Sequence, residues 1–314
     1  MSNNSVAGDG YVTEGPYERD TNYFTTRITR DERDGFAVEP GRYRLVVSWA
    51  CPWANRSIIV RRLLGLEDVI SMGITGPTHD ARSWKFDLDP GGVDPVLGIS
   101  RLAEAYEARQ PGYDGGVTVP AIVDITTGQL VTNDFAQITL DFSTEWADYH
   151  QPGAPELFPE ELRSEILDLD RLIYRDVNNG VYRAGFAGSQ ASYEEAHDGL
   201  FERLDWLSER LEHRRYLLGD DITEADIRLF TTLARFDAVY HGHFKCNRHK
   251  LTEMPVLWGY ARDLFQTPGL GDNTNFDHIK RQYYQVHTDI NPSGIVPVGP
   301  DLSTWHQPHD RARL

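Results

Sequence analysis

The sequence predicts an α/β N-terminal domain followed by an all-α C-terminal domain. The stretch "RYRLVVS" (42–48) is apolar and β-branched, and it runs into "WANRSIIVRRLLGL" (53–66), whose apolar residues Ala54, Ile58, Leu63 and Leu66 recur with helical spacing. A second strand pattern, "DVISMGIT" (68–75), follows. Strand, helix and strand in this order describe a right-handed parallel unit. Beyond the proline-rich "YHQPGAPELFP" (149–159) the strand patterns stop and amphipathic helical patterns take over. A chain of 314 residues suits two such domains. The expected divisions are an N-terminal arm over 1–40, the α/β domain over 41–150, the helical domain over 151–288 and a tail over 289–314.

Each element has a local reason. The arm is polar, rich in Gly, Asp, Glu and Arg, and without periodicity. In the 53–66 helix the arginines are expected opposite the apolar face. A long irregular insert (76–98) precedes a helix over 99–110. "VTVPAIVD" (117–124) and "QLVT" (129–132) read as an antiparallel hairpin, and "NDFAQITLDFSTEW" (133–146) reads as a helix capped by Asn133 or Asp134. The later helices are expected over 160–177, 190–212, 223–241 and 254–266. Thr223 and Asp226 have the spacing of a capping box at the third of these. The Pro- and Gly-rich end, "INPSGIVPVGPDLSTWHQPHDRARL", is expected to run over the surface.

Composition removes several function classes. Hydrophobic residues make up 40% and charged residues 25%, which is ordinary for a globular protein. The 31 Lys and Arg against 48 Asp and Glu leave a formal charge of −17, which repels phosphate backbones and anionic membranes, so no nucleic-acid or membrane partner is expected. No apolar run approaches the roughly 20 residues of a membrane span, and "MSNNSVAGDG" lacks the pattern of a signal peptide. A cytoplasmic enzyme is the expectation. Two cysteines, Cys51 and Cys246, do not make a disulfide framework. Cys246, in "HGHFKCNRHK" with His241, His243 and His249, has no spacing of a closed zinc site; a solvated loop is expected there and no metal.

Cys51, in "SWACPWANR", sits where a strand hands over to a helix. A thiolate there faces unpaired backbone N–H groups and the positive end of the helix dipole, both of which lower a thiol's pKa. Pro52 suits the first helical turn, where no N–H is needed. Ala54 stands where a C-x-x-C pair has its second cysteine, so a mixed disulfide on Cys51 must be resolved by an external thiol. A Val119–Pro120 bond entering the next strand suits a cis proline, which would aim the Val119 backbone at a bound thiol compound.

"SWACPWANR", "VYRAGFA" (181–187), "ITEADIRLF" (222–230), "KCN" (245–247), "NFDHIKRQYY" (275–284) and "INPSGIVPVGP" (290–300), in this order, closely resemble the glutathionyl-hydroquinone reductases, the xi class of glutathione transferases. The resemblance implies a thioredoxin-like N-terminal domain, a helical glutathione-transferase-like C-terminal domain and a homodimer. It implies Cys51 as the nucleophile on S-conjugated hydroquinones, with Tyr182 and Tyr283 holding the quinol oxygens and Tyr284 adjacent. It also implies Trp84 and Val117 beside the thiol ligand, with no bound cofactor and a low-molecular-weight thiol, glutathione in the family, as co-substrate.

The thiol pocket departs from the family pattern. Gly116 stands where the family has an arginine for a glutathione carboxylate, and "NDF", Asn133 to Phe135, replaces "NES". Asp134 retains an acid for the amine end, whereas Phe135 offers no hydroxyl. Each hydrogen bond to a charged group contributes roughly 1.5–3 kcal/mol, so these changes weaken glutathione by decades and describe a roomier pocket with an apolar wall, suited to mycothiol. Two other functions fit the sequence: a non-catalytic binding or scaffold protein on the same fold, and a dehalogenating or deglutathionylating enzyme with other substrates.

Overall fold

A computed structural model describes residues 10–20 and 23–314; the remainder of the expected 1–40 arm lies outside the described residues. The chain forms two compact units. One comprises residue 20 and 23–154, and the other comprises 155–314 together with 10–19.

The first unit is built on a four-stranded sheet. The central strand β1 (Tyr43–Val47) is buried along its whole length, as expected of a strand covered on both faces. It pairs in parallel with β2 (Ile70–Ile74), from Tyr43 opposite Ile70 to Val47 opposite Ile74. On its other side it is antiparallel to β5 (Ala121–Asp124), which turns back into β6 (Leu130–Thr132). The parallel β1–β2 pair needs a crossover, supplied by helix α1 (Pro52–Leu63). Gly65, at φ +69°, closes that helix with Leu66 N–H donating to Arg61 O at 2.9 Å. The insert forms a short ladder of β3 (His79–Asp80) and β4 (Ser83–Trp84). Helices α2 (Ala103–Arg109) and α3 (Phe135–Thr144) complete the unit, and Asp134 caps α3 by accepting from Ala136 N and Gln137 N.

Helix α1 corrects the expectation of an arginine-rich solvent face. Arg56 is 1% and Arg61 7% exposed. The helix packs against α3 and the sheet, so these two cations are satisfied internally: Arg56 lies over the rings of Trp53 and Phe135, and Arg61 Nε donates to Ile70 O at 2.6 Å, whereas Arg62 keeps the expected exposed position and pairs with Glu67 at 2.7 Å.

The second unit contains α4 (Arg163–Ile173), α5 (Gly180–Gly185), α6 (Gln190–Leu211), α7 (Glu224–Arg235), α8 (Pro255–Gln266) and α9 (Phe276–Val286). Every residue of α7 is buried, which makes it the central helix. Its start is fixed by Asp226, whose Oδ2 accepts from Thr223 N and Thr223 Oγ1, both at 2.9 Å. Wider π-type turns follow α4 (174–178) and α7 (236–240).

Three further expectations change here. Residues 11–19 do not lead directly into the first strand; Thr13 N donates to Phe186 O at 3.1 Å and Tyr11 stacks on Phe186. The Cys246 loop is solvated only in part: Lys245 and residues 247–250 are exposed, but Phe244 and Cys246 are fully buried, and burial pushes the Cys246 thiol pKa up. The tail does not merely cross the surface. Trp305 packs against Trp258 and Phe265, and the Arg311 guanidinium donates to Leu211 O and Arg215 O. Among the described residues no helix is long and apolar enough to cross a membrane.

Candidate active site

Cys51 is the N-cap of α1. Its backbone is extended (φ −75°, ψ 121°), Pro52 occupies the first helical position, and Asn55 N–H donates to Cys51 O at 2.9 Å to close the first turn. Strand β1 is thus connected to α1 with the thiol beyond the strand's C-terminal end, partly exposed. Its Sγ donates to Val119 O at 3.3 Å, and the Val119–Pro120 peptide is cis.

A cleft of about 820 Å³ opens at this thiol. Of the residues expected to bind a thiol compound, Trp84, Val117 and Val119 line it together with Cys51; Pro52, Gly116, Pro120, Asp134 and Phe135 are not among its described lining residues. The reasons are local. Asp134 turns its Oδ1 to the α3 backbone as a cap. Gly116 is buried, and its carbonyl accepts from Tyr113 Oη at 2.9 Å. Phe135 packs on Trp53, with ring centroids 4.5 Å apart, and meets Tyr23 edge-on. It supports the cleft residue Trp53 from behind instead of forming an apolar wall.

The cleft also contains residues that the sequence reading did not select, including Trp53, His79, Arg82, Arg101 and Tyr113. His79 lies against Trp84 at 4.6 Å between ring centroids, and burial lowers its pKa to about 4, so it is neutral at pH 7. Asp80 is held by Arg101 through two bonds of 2.8 and 3.0 Å and by Lys85 at 3.0 Å. These cations, Arg101 foremost, hold its carboxyl well below the usual range. Glu104 Oε1 accepts from Ser100 N, Ser100 Oγ and Arg101 N, each at 2.9 Å. The one sequence signal for Trp53 was its place two residues after Cys51; Arg101 and Tyr113 come from a helix start and a loop that carry no motif.

The helical unit gathers a second constellation. The Tyr182 and Tyr283 hydroxyls are 2.5 Å apart, and Tyr240 Oη lies 2.9 Å from Tyr283 Oη. Arg19 stacks over the Tyr182 ring at 4.6 Å. Burial, with Tyr182 and Tyr240 alongside, raises the Tyr283 pKa far above its ordinary value, so its hydroxyl stays protonated. Tyr284 turns elsewhere and donates to Ala238 O at 3.4 Å.

The chain is 42% identical to glutathionyl-hydroquinone reductase YqjG of Escherichia coli over 313 residues, covering 96% of this chain and 94% of that protein. The chain belongs to the glutathionyl-hydroquinone reductases. Family models for the glutathione S-transferase N-terminal and C-terminal domains match residues 50–144 and 190–263. The crystal structure of a glutathione transferase from Gordonia bronchialis superimposes with a TM-score of 0.92 at 69% identity, covering 93% of this chain and 91% of that one. The xi-class glutathione transferase of Natrialba magadii gives 0.88 at 38% identity over 96% and 97%. The α/β unit of this reductase family member is therefore thioredoxin-like, and its helical unit is the transferase C-terminal domain. Tyr240, which joins the Tyr182–Tyr283 pair, carries no sequence signal for that contact, because "RFDAVYHG" reads as an ordinary buried helix end.

Proposed function

We propose that this protein is a thiol-dependent reductase of S-conjugated hydroquinones that works through a mixed disulfide on Cys51. The observation that carries the reading is the position of the Cys51 sulfur at the start of α1, on a cleft shared with Trp84, Val117 and Val119. In the first step the Cys51 thiolate attacks the sulfur of the conjugate. A sulfur–sulfur bond forms, the carbon–sulfur bond breaks, and the hydroquinone ring carbon takes the electron pair and a proton. A second thiol molecule then attacks the mixed disulfide, giving a small-molecule disulfide and restoring Cys51. In sum one free thiol and the conjugate's own sulfur are oxidised to the disulfide, and one carbon–sulfur bond is reduced to carbon–hydrogen. Tyr182 and Tyr283 serve the quinol oxygens, because neutral hydroxyls stabilise charge that develops on the departing ring. The protein acts as a homodimer in the cytoplasm.

The thiol in this reading is mycothiol, a neutral sugar-linked cysteine derivative. Gly116 and Phe135 stand where the family pattern has an arginine and a serine, and neither they nor Asp134, whose Oδ1 caps α3, is among the residues that line the cleft, so the polar groups that pattern reserves for glutathione's charged ends are missing. Glutathione is the second reading, favoured by Arg82 and Arg101 in the cleft. Steady-state reduction of a matched pair of conjugates with each thiol separates them. The proposal predicts kcat/KM higher with mycothiol by at least about tenfold, corresponding to the loss of one charge-assisted bond. Equal or better turnover with glutathione overturns the mycothiol assignment and leaves the glutathione reading. Absence of turnover with either thiol overturns the enzyme reading itself.

A further inference from the structure

We propose that Tyr106, seconded by Tyr113, is a positioning residue for Cys51: it clamps the back of the 116–119 segment so that the Val119 carbonyl is presented to the thiol. The inference rests on Cys51 being the reacting thiol.

The Tyr106 hydroxyl accepts from Thr118 N at 3.2 Å and donates to Thr118 O at 2.9 Å. One residue directing both backbone groups to one side is the geometry of an extended chain, in which the adjacent residues direct theirs to the other side. Two residues earlier, Gly116 O accepts from Tyr113 Oη at 2.9 Å. Residues 116 and 118 are therefore held from one side by two phenols. Val119 turns its carbonyl the other way, where Cys51 Sγ donates to it at 3.3 Å. A third tie, from Asn133 Nδ2 to Thr118 Oγ1 at 2.9 Å, holds the same residue by its side chain.

The phenols are themselves fixed. Tyr106 is fully buried and meets Tyr113 at 5.2 Å and Phe24 at 5.8 Å between ring centroids. Burial keeps its hydroxyl neutral, which is the form able to donate and accept at once. The Val119 carbonyl accepts the S–H proton and presents the negative end of its dipole to the sulfur, so its placement disfavours the thiolate. The clamp thereby sets the fraction of Cys51 that is ionised, and it holds the segment along which a thiol compound lies.

The test uses the full-length protein with Tyr106→Phe and Tyr113→Phe, each checked for a native circular dichroism spectrum. The rate of iodoacetamide alkylation of Cys51 is followed against pH by mass spectrometry. In Tyr106→Phe the midpoint moves down by about half to one pH unit, a roughly three- to tenfold gain in thiolate below the midpoint. Tyr113→Phe moves it in the same direction by less and stands as the decisive variant where Tyr106→Phe does not fold. KM for the thiol co-substrate rises several-fold in both. Alkylation profiles that superimpose on the wild type in every folded variant overturn the clamp. A wild type that turns over no conjugate refutes the function proposed above, while the alkylation profile still decides the clamp.

Discussion

Cys51 and Cys246 share a side chain and differ in everything that surrounds it. Cys246 is sealed in the helical unit, its thiol pKa pushed up by burial, whereas Cys51 stands at a helix start on an open cleft. The local pattern around Cys51, an apolar strand followed by Cys-Pro and a helix, was legible because each part has its own chemical signature. The burial of Cys246 was not, since the polar neighbours in "HGHFKCNRHK" conceal a loop folded inward with Phe244. The tyrosines show the same contrast. Family motifs single out Tyr182 and Tyr283, and their hydroxyls are 2.5 Å apart. Tyr106 and Tyr113 carry no motif; their hydroxyls matter through backbone groups that a sequence does not display. Tyr283→Phe is expected to lower kcat for conjugate reduction by about 100-fold with KM for the thiol unchanged, the magnitude of losing one donor to developing charge. Pre-steady-state release of hydroquinone measures it, and an unchanged burst rate contradicts the role.

Among elements, the strands and the long helices were legible because period and caps agree. Strands β1 and β2, the hairpin β5–β6, and helices α3, α6, α7 and α8 lie close to where the sequence places them. Helices α5 and α9 were missed. The first spans only six residues after a π-type turn, and α9 buries just Ile279, Gln282 and Tyr283 in a polar background. The buried arginines of α1 escaped for another reason: charge reports exposure only until a neighbouring ring or carbonyl replaces water. The capping box of α7 carries its own prediction. Asp226 is fully buried and accepts from Thr223 N and Oγ1, from Leu217 N at 2.9 Å and from Tyr260 Oη at 2.7 Å. Asp226→Ala leaves these buried donors unpaired and should cost about 3 kcal/mol or more in denaturant unfolding. A loss below about 1 kcal/mol would remove the cap from the account of the helical unit.

For the molecule as a whole, the change of periodicity near the proline-rich 149–159 foretold a two-unit chain, and the compact units divide at 154–155. What composition could not show is that 11–19 pack with the helical unit and that the tail is fastened by Trp305 and Arg311, because such docking depends on surfaces made only after folding. The net charge of −17 sits with a small-molecule function and against polyanionic partners. The proposed function reduces to one covalent event. The purified, reduced protein, mixed with an excess of an S-conjugated hydroquinone and no free thiol, is the most direct test. One equivalent of hydroquinone released per chain and a mass gain of one thiol moiety located on Cys51 are the expected result. Hydroquinone release without that adduct, or an adduct confined to another residue, contradicts the proposed function.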